Sequence, residues 1–232
     1  MKRIQTTILI LITGCTSTLA QTRVKASDII RQINEGKTVE YTNAEVEGDL
    51  DLTDLDNRRR ERSSVNFFTD NDTYESQVEV SLKFTNCTFL GNVLAYYHIE
   101  RRNDTYIAHF EKDAIFRDCK FKESSEFKYS EFNGAAVFSG TTFNREANFK
   151  YAEFSAGPSF NNVRFESGAD FKYTEFPAET SFERATFYEL ANFKYAKFKS
   201  PARLDGIAFK GDEDFKYTKM DGRSFTSYLL HR

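Results

Sequence analysis

The chain of 232 residues is poor in the groups that carry chemistry. It has three histidines, His98, His109 and His231, and no Cys/His spacing suited to zinc. It has no glycine-rich loop that would cradle a phosphate. Acids are plentiful, but no pair stands out as an acid–base couple. These absences lead us to expect no catalytic residue, no cofactor and no metal. There is no long apolar run either. Ile8 to Ile12 is too short to span a bilayer. A basic excess is also missing. The net charge is −3, and it becomes −5 if Lys2 and Arg3 are removed, which argues against a general nucleic-acid partner.

What the chain does have is a period. Phe-Lys-Tyr occurs at Phe127, Phe149, Phe171, Phe193 and Phe215, each copy 22 residues after the last. A fixed period of that length marks a repeat architecture. Within it, large apolar residues run from Phe110 to Met220 at gaps that alternate six and five. Neither a helix nor a plain strand has that spacing. It describes short extended sides joined by turns, four sides to a coil, each coil stacked on the last.

A second inward position supports this reading. Two residues before the apolar one sits a small side chain: Ala136, Ala147, Ala152, Ala169, Ala185, Ala191, Ala196 or Ala202, with Ser, Thr, Val or Cys elsewhere. The residue between is often polar, as at Glu126, Asn148, Asp170, Asn192 and Asp214. The pattern small, polar, Phe, any, any resembles the pentapeptide-repeat family in its Phe-centred form. It is unbroken over 110–220 and looser from about Tyr41 to Phe89. The resemblance implies an all-β fold, a right-handed quadrilateral β-helix with phenylalanines stacked inside. One coil cannot stand alone, so both ends need caps.

Residues 1–20 read as a signal peptide, with Lys2 and Arg3, then Ile8 to Ile12, then Thr18-Leu19-Ala20 before Gln21. The alternative is a bacterial lipoprotein signal, Ile12-Thr13-Gly14-Cys15, with Cys15 lipidated; only then is a membrane a partner. Either route gives an extracytoplasmic protein, periplasmic or secreted. Residues 21–40 hold a lead-in and a capping helix, Ser27 to Glu35, with Ser27 as N-cap and Gly36 as stop. The solenoid occupies 41–220, with insertions near 56–77 and 98–108, and 221–232 form a C-terminal cap through Phe225, Tyr228, Leu229 and Leu230. The first insertion bunches Arg58, Arg59, Arg60 and Arg62, a candidate anion-binding loop. The second is expected to be a hairpin turning at Asn103-Asp104. That register puts His98 opposite His109, the start of a metal site without a clear third ligand. Deleting 98–108 is expected to leave the solenoid folded.

The period also stacks outer residues into columns. One holds Lys128, Lys150, Lys172, Lys194 and Lys216. The next holds Tyr129, Tyr151, Tyr173, Tyr195 and Tyr217. Either this is a solvated ladder with lysine stems over rings, or flat tyrosine faces beside cations bind a glycan, an anionic polymer or a partner protein. Cys87 and Cys119 both take the small inward position and are expected to stack in adjacent coils, within reach of a disulfide. Three functions follow. The first is an extracytoplasmic, non-catalytic interaction or structural scaffold. The second, which the resemblance implies, is a DNA-mimicking inhibitor of type II topoisomerases. The third is an enzyme with its site in the insertions.

Overall fold

The computed structural model describes residues 22–61 and 72–225. The signal-like segment with Cys15, the insertion tip with Arg62, and Tyr228, Leu229 and Leu230 lie outside the described residues.

The chain winds as a solenoid with four walls, each a ladder of parallel pairings between coils. The alternating gaps become four inner columns. Tyr41, Phe84 and Phe116 stack on one wall, and Val46, Phe89, Phe121, Phe143, Phe165, Phe187 and Phe209 on the next. Val78, Phe110 and Phe132 begin a third column, which ends at Phe198 and Met220. The fourth carries the Phe-Lys-Tyr phenylalanines. Rings lie nearly parallel within a column and edge-on or tilted between columns. Phe165 stacks on Phe187 at 4.6 Å and meets Phe171 at 90°. Both arrangements suit the ring quadrupole. The small inward residues Ala147, Ala169 and Ala191 are buried, and they lie on the strands of one wall and not at its corners.

The helix is Ala26–Asn34, and Ile29 and Ile33 are buried against the first coil as a cap should be. The expected N-cap is wrong. Lys25 holds that position with no side-chain hydrogen bond, because Thr22–Lys25 is already a strand paired with Ala44–Glu47. The helix therefore leaves directly from a wall. Its end is as read. Gly36 has a φ of +69° and donates to the Ile33 carbonyl, while Lys37 donates to that of Gln32. Glycine takes this left-handed position without a Cβ penalty. No helix among the described residues is long and apolar enough to cross a membrane.

The insertions are not independent loops. Arg59–Glu61 pairs antiparallel with Thr73–Val78, so much of the first insertion is a hairpin whose second strand continues a wall. Tyr96–Ile99 pairs antiparallel with Asp104–Phe110, whose other edge pairs in parallel with Thr73–Val78. The two insertions thus form one four-stranded flap. Deleting 98–108 would remove Thr105 to Ala108, which pair with Thr73 to Ser76, and with them the buried Ala108. The solenoid would not be left untouched.

The hairpin register also differs from expectation. His98 faces Thr105, its Nδ1 3.0 Å from the Thr105 hydroxyl, while His109 pairs with Gln77 in the wall. His109 is buried, accepts the Glu131 N–H and lies 3.6 Å from Glu75. The turn comes earlier than Asn103-Asp104, since Ile99 is already paired with Asp104. The two histidines do not meet. Among the described residues no three His, Cys, Asp or Glu side chains are grouped to hold a metal ion.

At the far end Arg223–Ser224 folds back on Lys219–Met220, and Phe225 stacks on Phe198 and Phe215. Residues 221–225 therefore close part of the last coil, as the cap requires.

Candidate interaction face

Each Phe-Lys-Tyr is a corner. The residue after the tyrosine donates its N–H to the phenylalanine carbonyl, at 2.9 Å for Ala152 to Phe149 and 3.1 Å for Thr174 to Phe171. The tyrosine is the third residue of this turn, and all five have a left-handed backbone. Their φ values are 61°, 59°, 63°, 62° and 63° from Tyr129 to Tyr217. That is a type II turn, whose third position favours glycine or asparagine. Another corner of the coil has the same turn, and there Gly140, Asn162 and Gly206 fill that position in three coils and Arg184 in one. A side chain in this conformation costs about 1–2 kcal/mol.

The polar residue before each phenylalanine braces the turn. Asn148, Asp170, Asn192 and Asp214 each accept the backbone N–H of the following lysine, at 3.1, 2.9, 3.2 and 2.8 Å. These are Asx turns. An Asn or Asp two residues before each lysine was a signal for them in the sequence. Glu126 has too long a stem for this turn, and the Asn148 amide donates to it at 2.8 Å.

The column residues come together as the period requires. The rings of Tyr129, Tyr151, Tyr173, Tyr195 and Tyr217 stack at 4.6 to 4.9 Å with planes within 18° of parallel. Each lysine ammonium lies close to the centre of its own ring, from 4.9 Å for Lys128 to 5.5 Å for Lys194. One expectation needs correcting. Flat tyrosine faces are not on offer, because each inner ring is sandwiched by its neighbours. The column presents ring edges, hydroxyls and ammoniums. Tyr217, at the end, is the most exposed ring at 58 %. The other end is closed by a residue the column count missed. Tyr96 abuts Tyr129 at 5.9 Å, and its hydroxyl lies 3.1 Å from the Lys128 ammonium. Tyr97, which holds the tyrosine place in the repeat, instead meets Tyr106 on the flap. Here the chain runs on as a strand instead of turning.

Beneath the lysines runs a partly buried column of alternating acid and amide. Burial raises the carboxyl pKa of Glu126 and of Asp170 above the ordinary range; the Asn148 amide and the Lys172 N–H oppose this without cancelling it. Burial, then repulsion from Lys128 and Lys172, lowers the pKa of Lys150. A carboxyl whose pKa rises on folding stabilises most below its unfolded pKa, about 3.9 for Asp, and that contribution is lost as pH rises through the folded value. At neutral pH the ionised Asp170 is therefore unfavourable. Asp170→Asn keeps an acceptor for Lys172, as Asn148 and Asn192 do for their own lysines. It should raise stability at neutral pH. The gain should vanish towards about pH 3. Urea unfolding at both pH values checks this.

Among the described residues the arginines of this cluster lie beside acids, and Arg62 is outside them. Arg58 pairs with Asp54 and lies 5.4 Å from the centre of the Tyr106 ring, and Arg60 pairs with Asp72. Arg59 borders a cleft of about 320 Å³ whose lining also carries Glu61, Glu75 and Glu79. Those carboxylates oppose an anion there.

Cys87 and Cys119 stack as expected, one residue before the paired Thr88 and Lys120. Both are buried free thiols. The hydrogen bond from Cys119 draws the Cys87 pKa down to about 7. The same contact, with burial, pushes Cys119 far up. Their sulfurs also approach carbonyls, Cys87 that of Tyr41 and Cys119 that of Arg117, at 3.4 and 3.3 Å.

A four-walled coil, a phenylalanine core and outer residues in columns define a repeat solenoid. Residues 108–219 match the family model described as pentapeptide repeats (9 copies), in the overlapping stretches 108–153, 127–175 and 171–219. This region belongs to the pentapeptide-repeat family. No curated protein and no solved structure matches the chain.

Proposed function

We propose that the protein is a rigid, non-catalytic interaction scaffold working outside the cytoplasm, with the lysine–tyrosine corner as its contact surface. One observation carries the reading. Five tyrosines hold a left-handed turn position that glycine and asparagine fill in three coils at another corner. Strain kept at a surface position invites a functional reading. The solenoid fixes the strip, so a partner would meet it with little ordering of side chains. The location outside the cytoplasm is supported by the sequence of residues 1–20. DNA mimicry would need a continuous acidic face, and the column of Glu131, Glu153 and Glu175 continues as Lys197 and Lys219.

Capture from the native envelope or medium tests the reading. Wild-type protein should retain a partner that a variant with all five column lysines changed to serine loses. Equal capture by both would defeat the assignment of the surface. Mass spectrometry of protein from its native host should find a chain beginning at Gln21. An intact Met1 would defeat export, and a diacylated Cys15 would establish the lipoprotein route.

A further inference from the structure

The corner changes charge along the solenoid. In three coils the residue two beyond the column tyrosine is Glu131, Glu153 or Glu175, and in the last two it is Lys197 or Lys219. The earlier coils therefore each set one ammonium beside one carboxylate, and the last two each set two ammoniums. Lys197 is engaged by Glu175 at 2.5 Å. Among the described residues Lys194, Lys216 and Lys219 are in no ion pair. Asp214, the nearest acid of the inner column, spends an oxygen on the Lys216 backbone N–H. The phenols of Tyr195 and Tyr217 complete the patch, and among the described residues Tyr217 is the last ring of the column and is 58 % exposed.

We propose that the corner of the last two coils, built from Lys194, Tyr195, Lys216, Tyr217 and Lys219, binds an acidic polysaccharide. This rests on the corner being the contact surface. Charge complementarity selects an anion. The spacing selects a polymer, since the donors repeat with the coil, about 4.8 Å apart, on a backbone that cannot adapt. An extended acidic peptide presents same-side carboxylates only every two residues, about 6.6–6.8 Å apart, and falls out of step. The stacking selects against neutral sugars. The ring faces they would use are covered, apart from one side of Tyr217, and the remaining edges offer charge and hydrogen bonds to carboxylate or sulfate groups.

Binding to immobilised dextran sulfate and polygalacturonate tests this, with neutral dextran and poly-glutamate as comparisons. The wild type should bind an acidic polysaccharide at low salt and release it as salt screens the charges. The triple change Lys194→Ser, Lys216→Ser, Lys219→Ser should weaken binding about tenfold or more. Lys120→Ser with Lys122→Ser, two exposed lysines on another wall, should stay within about twofold of wild type. Thermal melts confirm that both variants fold. Failure to bind either polysaccharide, equal loss in both variants, or stronger binding to poly-glutamate would overturn the proposal. If a native partner is still captured through the column lysines, only the polysaccharide assignment falls. If that capture is also indifferent to them, the contact surface falls with it.

Discussion

Phe171→Ala is expected to destabilise the protein by about 3–5 kcal/mol, while Lys172→Ala, one residue on, should change stability by less than about 0.5 kcal/mol. Phe171 is fully buried. Its ring stacks on Phe149 at 5.2 Å and Phe193 at 4.9 Å and meets Phe160, Phe165 and Phe182 nearly edge-on. Removing it opens a hole bounded by rings of three coils. Those rings are held at the coil spacing by wall hydrogen bonds on both sides, so the hole cannot collapse. Lys172 is the second residue of the turn, and its ammonium lies 5.1 Å from the centre of the Tyr173 ring. Its substitution gives up that contact and little else. Urea denaturation of the two variants beside the wild type measures the contrast, and equal effects would reverse the assignment of inside and outside.

The second large effect comes from the tightness of coil stacking. Gly134→Ala should destabilise by about 1–3 kcal/mol. A Cβ at Gly134 would stand 2.4 Å from the Lys112 carbonyl carbon and 2.6 Å from the Asp113 nitrogen. Both are backbone atoms of the coil below, so relief means separating coils. Gly168→Ala serves as the control with opposite sign. Nothing lies within 4 Å of a Cβ there, and its φ is not in the left-handed region. Restricting the unfolded chain at such a site should stabilise by about 0.4–1 kcal/mol. Thermal unfolding of the two variants should therefore move in opposite directions.

Most of the solenoid was legible in the sequence because its determinants are local and repeat. A gap of five or six residues sets one side and one corner, so Phe127 to Phe215 announce their own stacking without knowledge of distant residues. The same holds for Cys87 and Cys119, whose shared place before Phe89 and Phe121 put them in register. The cap helix was legible through Ile29, Ile33 and Gly36, but its start was not. Thr22–Lys25 became a strand through its pairing with Ala44–Glu47, and nothing in Thr22 to Lys25 announces a partner about twenty residues on.

The insertions show what only the tertiary structure decided. They read as separate insertions, a loop and a hairpin, because neither carries the period. Their joining into one flap depends on Thr73–Val78 and Asp104–Phe110 both extending a wall beyond its corner, where each becomes the other's available edge. That pairing sets His109 beside Gln77 and leaves His98 facing Thr105, which no count along the hairpin could fix. The lysine–tyrosine corner divides in the same way. The sequence determined which residues form the column and where its charge changes. The structure decided that the rings stack face to face, and that the tyrosines hold a left-handed turn. Ring orientation follows from the turn and the coil spacing together, and only the folded stack contains both.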